Sequence, residues 1–204
     1  MKLKTIASLA AAVALLAEGA VAADYSDPTW PCIQRKVERL SIGLMWPHAV
    51  EEAPDLAADL ARDIDALADT LVLRRISLEE AEARVAEFAE SHETTDQVMS
   101  QVFSRVFDQI AQRRTRIMEG IADFSLGQIA LAERIDAARV EMDTVMEAAE
   151  PDYDRADALE EQIDWDERIY TDRQKSLTYV CETPVLLEKR LYAIAQMLQG
   201  KIEG

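Results

Sequence analysis

Histidine, cysteine, glycine and proline are all scarce in this chain of 204 residues. Glycine and proline occur six times each, and runs of β-branched residues are absent, so the composition argues against a β-sheet protein and favours long helices. The two histidines, His48 and His92, have no second His or Cys at ligand spacing, which argues against a zinc or haem site. The two cysteines are not in CxxC spacing, so a redox thiol pair is not expected.

Motifs for catalysis are missing as well. The chain has no GxSxG motif, and paired carboxylates such as Asp164 and Asp166 fall on a predicted exposed helix, where nothing raises a pKa. An EF-hand loop beginning at Asp152 needs Gly at its sixth position and Glu at its twelfth, but Asp157 and Ile163 stand there. We therefore expect no catalytic residues, no metal site and no cofactor, and a chain that is not an enzyme.

The amino terminus has the features of a secretory signal peptide. Two lysines precede an apolar run from Thr5 to Ala17, and the small-x-small sequence ending at Ala22 offers a cleavage site. The run is about 13 residues long and a membrane-spanning helix needs roughly 18, so we expect cleavage near Ala22 and no membrane span. The prediction is a signal peptide over residues 1–22 and a periplasmic chain, residues 23–204, that forms a single helical domain.

The chain is strongly acidic. Its formal net charge is −17, and loss of residues 1–22, which contain two lysines and one glutamate, makes it −18. Such a charge repels nucleic acid and anionic lipid, so nucleic-acid binding is not expected, whereas a basic protein, cations or solubility alone would fit it. An even number of cysteines in an exported chain predicts one disulfide, between Cys32 and Cys181.

Helical periodicity in the first half predicts three short helices, the third of which begins with a capping box of Ser77 and Glu80. Their expected bounds are 32–46, 54–75 and 77–92. The second and third helices each leave an apolar stripe to bury. We expect them to pack against the ends of the two long helices that follow, in a four-helix base made of residues 32–120 and 181–202.

From a capping position at Thr94 onward, the chain carries two heptad ladders that mirror each other about Glu150 and Pro151. Apolar residues recur at steps of three and four on both sides of this turn, and antiparallel pairing brings, for example, Met142 beside Leu159. The fold prediction is all-α: a four-helix base with a long antiparallel two-stranded coiled-coil hairpin, whose stalk spans residues 121–180.

Two glycines lie seven residues apart in the first ladder. Gly120 and Gly127 cost helix stability, and we expect them to open a small-residue notch at which the segment around Cys32 crosses the hairpin. Trp30 or Trp46 should pack beside this crossing. The alternative is that both glycines are tolerated on a solvated face.

Two polar or irregular features interrupt the ladders. Thr183 and Pro184 resemble an N-cap and a first helical residue, so the second long helix is expected to break or kink there. Arg113 and Arg114 interrupt the first ladder. Pairing places them near Glu188, which predicts a partly buried ion pair that fixes the register.

The stalk concentrates the negative charge. Between Ile121 and Lys175 there are 16 acidic and 6 basic residues, a net charge of −10. Trp165, on the charged face, and Tyr170, on the ladder, are candidate interface residues; the alternative for Trp165 is that it covers the edge of the seam or the opposite helix. The leading hypothesis is an exported, non-catalytic scaffold or adaptor that presents the acidic hairpin to a protein partner in the cell envelope, with a homodimer left open. The alternative is a periplasmic helical-bundle protein that binds a cation or a small ligand.

Overall fold

The computed structural model of the protein describes residues 27–51 and 56–202, and within these ranges it contains helices and no strand. A single 3₁₀ turn, Ile42–Leu44, precedes the four α-helices. These are α1 (Ala58–Leu71), α2 (Leu78–Ser91), α3 (Asp96–Met146) and α4 (Tyr153–Gln199). The predicted all-α fold is confirmed. The predicted signal peptide lies outside the described residues.

The two short helices are amphipathic and bury one face each. α1 buries Ile64, Leu67, Ala68 and Leu71. α2 begins with the predicted capping box, in which the Ser77 hydroxyl accepts from the backbone N–H of Glu80 and the Glu80 carboxylate accepts from that of Ser77. α1 packs mainly on α3 and α2 on α4, so the four helices together form the base.

The helix predicted over 54–75 is shorter in the structure and ends at Leu71. The reason is a tertiary contact. The guanidinium of Arg190, on α4, donates to the backbone carbonyls of Leu71 and Ile76 at 2.9 and 2.8 Å. These bonds give hydrogen-bond donors to carbonyls that would otherwise lack a partner where the helix ends. They also hold the α1–α2 turn against the long hairpin.

The two long helices form the predicted hairpin. α3 begins at an N-cap, Thr95, whose hydroxyl accepts from the N–H of Val98; the predicted cap, Thr94, is instead buried. The chain turns between Met146 and Tyr153. Asp152 caps α4 by accepting from the N–H of Arg155 at 3.0 Å, so the reversal falls at the predicted proline turn.

The first predicted helix is wrong. Residues 32–46 are irregular apart from the 3₁₀ turn, and the side chains of Ile33 and Leu44, which the helical stripe would bury, are 75% and 87% exposed. The segment is held by tertiary hydrogen bonds to its main chain: the Arg114 guanidinium donates to the carbonyls of Val37 and Glu38 at 2.5 and 3.3 Å. We call residues 27–51 the strap.

Of the predicted break or kink at Pro184, the break is wrong, because α4 is continuous through this residue. Thr183 is not an N-cap: its hydroxyl donates to the carbonyl of Tyr179, one turn earlier, at 3.1 Å. Pro184 removes one N–H from a helix of 47 residues, and its ring is buried in the hairpin. Packing on both sides of this position therefore maintains the helix across the missing hydrogen bond.

Candidate binding surfaces on the helical arm

The strap runs antiparallel to α3 and covers its first half. Near the start of the strap, the carbonyl of Pro28 accepts from the Ser125 hydroxyl at 2.7 Å. Near its end, the Trp46 indole N–H donates to the Ser100 hydroxyl at 2.8 Å, and the ring stacks on Phe103 with centroids 4.7 Å apart. These two contacts lie about 37 Å apart along α3, from residue 100 to residue 125.

A compact turn anchors the amino end of the strap. The Asp27 carboxylate accepts from the backbone N–H of Thr29 at 2.8 Å, from its hydroxyl at 2.6 Å and from the Lys36 ammonium at 2.7 Å. The Lys36 and Thr29 hydrogen bonds lower the pKa of Asp27 to about 2. Pro28 occupies the second position of this turn, where its fixed φ is favourable.

This turn places a tryptophan on the hairpin. Trp30 is 6% exposed and belongs to a second, small core with Met118 and Ile121. The sulfur atoms of Cys32 and Cys181 lie 2.03 Å apart in the same cluster, at disulfide distance. Of the two tryptophans expected beside the crossing, Trp30 lies there.

The predicted glycine notch does not form the crossing contact. A Cβ built on Gly120 or Gly127 would meet no heavy atom within 4 Å. The crossing segment lies instead against the face that presents Met118, Ile121 and Ser125. The alternative stated from the sequence, two glycines tolerated in open space, describes the geometry at both positions.

Beyond Ser125 the hairpin consists of two helices alone. We define residues 126–176 as the arm; every side-chain hydrogen bond and ion pair that its described residues make stays within the arm. Its seam buries apolar side chains of both helices, Leu131, Ile135 and Ala138 on α3 and Ala156 and Leu159 on α4. The α3 side of the arm, to Met146, is about 31 Å long.

A bidentate ion pair joins the two helices across the seam. The Arg134 guanidinium donates to both oxygens of the Asp166 carboxylate, at 2.7 and 2.5 Å, and Asp166 is 4% exposed. The hydrogen bonds to Asp166 raise the pKa of Arg134, although partial burial opposes this. A bidentate pair at one heptad position favours a single register of the two helices.

A groove follows one side of the seam, in two adjoining depressions of about 370 and 310 Å³. They share Ala132, Asp136 and Tyr170, so they form one channel along the arm. Its floor is apolar, with Phe124, Ile129, Ala132, Ile135, Tyr170 and Leu177. Pro31 of the strap lines the end nearest the base. Tyr170 could be identified from the sequence, but the groove could not; the apolar Ile129, off the ladder, was the available signal.

The rim of this seam groove is polar. Glu133, Asp136 and Glu167 line it, and Arg139 lies at the end nearest the tip, where it pairs with Asp136 at 3.3 Å and with Glu167 at 2.5 Å. No hydrogen bond or ion pair of Glu133 is found within residues 27–51 and 56–202. The groove therefore combines an apolar floor with a net negative rim.

Trp165, the other candidate interface residue, lies on a different face of the arm. Trp165 is 64% exposed, and the shallow surface around it is lined only by α4 residues, among them Glu161 and Arg168. It does not cover the seam. Trp165 and Tyr170 are five residues apart on one helix, about 140° around its axis, so the structure separates these residues into two surfaces.

Two negative findings concern the described part of the chain. It holds no group of three or more His, Cys, Asp or Glu side chains placed to bind a metal ion. None of its helices is long and apolar enough to cross a membrane.

The predicted interface role of Trp165 and Tyr170 stays a prediction.

Comparison with known proteins adds no assignment: the chain matches no protein-family model, no curated protein and no solved structure.

Proposed function

We propose that the chain is an exported, non-catalytic helical scaffold or adaptor, which presents its acidic arm to a protein partner in the cell envelope. The observation that carries this proposal is the arm itself: two paired helices that the strap reaches only at Pro31, at the end of the groove nearest the base. Both candidate interface residues, Trp165 and Tyr170, lie on it. Solvent-accessible aromatic side chains and an apolar groove are features of surfaces that bind proteins.

Electrostatics supports a partner that differs from the chain itself. Each of the four helices carries a net negative charge by count of its residues. Two arms that paired side by side would bring like charges together, whereas a basic or apolar partner would not. The proposal therefore favours a different protein as the partner over the homodimer that the sequence left open.

Export is part of the proposal and rests on two observations. The sequence begins with the features of a signal peptide, and the sulfurs of Cys32 and Cys181 lie at disulfide distance. Disulfides persist in oxidising compartments such as the periplasm, and they are rare in the cytosol. Retention of the protein in the cytosol of its own cells would contradict this part of the proposal.

The arm can be shortened without disturbing the base or the turn. Deletion of 129–142 from α3 and of 158–171 from α4 removes two heptads from each helix, so the remaining ladders stay in phase. The deletion removes Trp165, Tyr170 and the Arg134–Asp166 pair, but it leaves Ser125 and the whole strap contact in place.

The test is capture from an envelope extract of the cells that make the protein, with the oxidised full-length chain as bait and the shortened-arm variant as control. The proposal expects a partner that the full-length chain retains and the variant loses, while both baits give the same helical circular dichroism per residue. A partner retained equally by both baits would contradict a role for the arm.

A second candidate function is binding of a cation or small molecule. The specific observation in favour of a small molecule is the volume of the groove depressions, which lies at the lower end of the range for small-molecule sites. The described residues hold no group of side chains placed to bind a metal ion. The groove is an open channel rather than an enclosed cavity, which makes this candidate the weaker. It predicts a rise in melting temperature on addition of the ligand.

A further inference from the structure

We propose that the seam groove binds a basic amphipathic helix of the partner, of about four turns, which lies along α3 and α4 as a third strand of the arm. This inference rests on the proposed function and names the chemistry of its partner. The groove runs from Phe124 to Arg139 on α3, about 22 Å, which is the length of a helix of about 15 residues.

The shape of the groove favours a helix. Two antiparallel helices bury the centre of their seam and leave a furrow on each side, into which the side-chain ridge of a third helix can pack. Here the furrow exposes Ile129 (41%), and the small side chain at Ala132 leaves space beside Tyr170. A stripe of apolar residues at helical spacing would cover this floor, as in other helix-in-groove complexes.

The charges select a basic helix. The groove carries Glu133, Asp136 and Glu167 on its rim and one basic residue, Arg139, which already pairs with two of them. The arm around it has a large negative excess. Lysines and arginines beside the apolar stripe of a ligand would meet these three carboxylates, of which Glu133 has no ion pair among the described residues.

A polar atom in the groove fits the same occupant. Gln128 lines the groove, and its amide nitrogen donates to the carbonyl of Tyr170 at 3.2 Å. Its oxygen, Oε1, is buried with no hydrogen-bond partner in the described part of the chain. A lysine or arginine of the docked helix could donate to it after a small rotation of the amide.

The test uses a synthetic 15-residue peptide, labelled with fluorescein, which has a leucine stripe at helical spacing and lysines beside it. One control peptide has the same composition with the stripe scrambled, and another has glutamate in place of lysine. Binding to the full-length chain is followed by fluorescence anisotropy, and helix formation by circular dichroism. We expect a dissociation constant in the micromolar range for the lysine peptide, a gain of helicity on binding, and at least tenfold weaker binding of both controls.

Matched variants locate the site. Ile129→Ser should weaken the peptide about tenfold, whereas Leu126→Ser, an apolar residue of similar exposure outside the groove lining, should change it less than twofold. Glu133→Lys should weaken peptide binding about fivefold at low salt, and this difference should be smaller at high salt. Asp123→Lys, at an exposed position of α3 outside the groove lining, is its control.

Each outcome decides the question. Equal effects of Glu133→Lys and Asp123→Lys, or equal binding of the glutamate peptide, would overturn the groove as the site. If sedimentation shows a dimer of the chain that Ile129→Ser dissociates, the groove binds a second copy of the chain and not a helix of another protein. If the shortened arm loses the cellular partner while Ile129→Ser keeps it, the groove inference fails and the proposed function stands; if the shortened arm keeps the partner, the proposed function fails.

Discussion

Substitution of Arg114 should destabilise the fold more than substitution of any other arginine on α3. The Arg114 side chain joins three elements, which are α3 itself, the strap and α4. It is 3% exposed, and its guanidinium donates to the carbonyls of Val37 and Glu38 in the strap and to the carboxylate of Glu188 on α4 at 2.7 Å. In Arg114→Ala all three acceptors lose a charged donor. The strap loses its central attachment at the same time.

The magnitude follows from the partners. A hydrogen bond to a charged group contributes about 1.5 kcal/mol or more, and the two strap carbonyls together account for about 3 kcal/mol. Glu188 adds little, because its side chain is 32% exposed and water can replace the guanidinium. A loss of about 3 kcal/mol corresponds to a fall in melting temperature of about 6 to 12 °C for a chain of this size.

The neighbouring arginine provides the control. Arg113 is half-buried and makes one long hydrogen bond, 3.4 Å, to the carbonyl of Val72, so Arg113→Ala should cost less than about 1 kcal/mol. Urea unfolding followed by circular dichroism at 222 nm measures both variants, with the slope m unchanged. If Arg114→Ala lowers the free energy of unfolding no more than Arg113→Ala does, the strap is not held as the structure describes.

Three further predictions concern the strap and the arm. The lowered pKa of Asp27, about 2 against a usual value of 3.8, means that its carboxylate stabilises the fold fully above pH 4 and loses this effect as the pH falls to 2. The stability difference between wild type and Asp27→Asn, from urea titrations at each pH, should therefore shrink over that window; a constant difference would contradict it. Asp166→Ala removes the carboxylate that binds Arg134, so amide hydrogen exchange should accelerate in the arm but not in the base. Reduction of the Cys32–Cys181 bond, which spans 149 residues, should lower the free energy of unfolding by about 5 kcal/mol from loop entropy, and a Cys32→Ser, Cys181→Ser variant should match the reduced protein and be insensitive to reductant.

The long helices could be predicted because their signal is repeated many times. The heptad ladders extend over dozens of residues on each side of Pro151, and the capping box at Ser77 and Glu80 has a local sequence signature that the structure reproduces. The contact between Arg114 and Glu188 also followed from the pairing of the ladders. Which of the two adjacent arginines would make it did not, since that choice depends on the rotation of α3 about its own axis.

The strap could not be predicted, for a physical reason. An irregular segment held through its own carbonyls, as at Val37 and Glu38, has no side-chain periodicity of its own. Its weak helical stripe suggested a helix, and the tertiary hydrogen bonds from Arg114 overrode that preference. The Asp27 turn, which seats Trp30 on the hairpin, was likewise not predicted.

The seam groove exists because two antiparallel helices cannot cover the sides of their own seam. Tyr170 occupies a ladder position and would be buried in a bundle of three or four helices, but two helices cover only the centre of their contact and leave it partly exposed. In the base, the strap, α1 and α2 supply that missing cover, and the ladder residues Leu187, Leu191 and Ile194 are buried almost completely. The same ladder thus makes a closed core at one end and an open groove at the other. What distinguishes the two ends is whether another segment lies against the seam, and along the arm the partner would have to supply it.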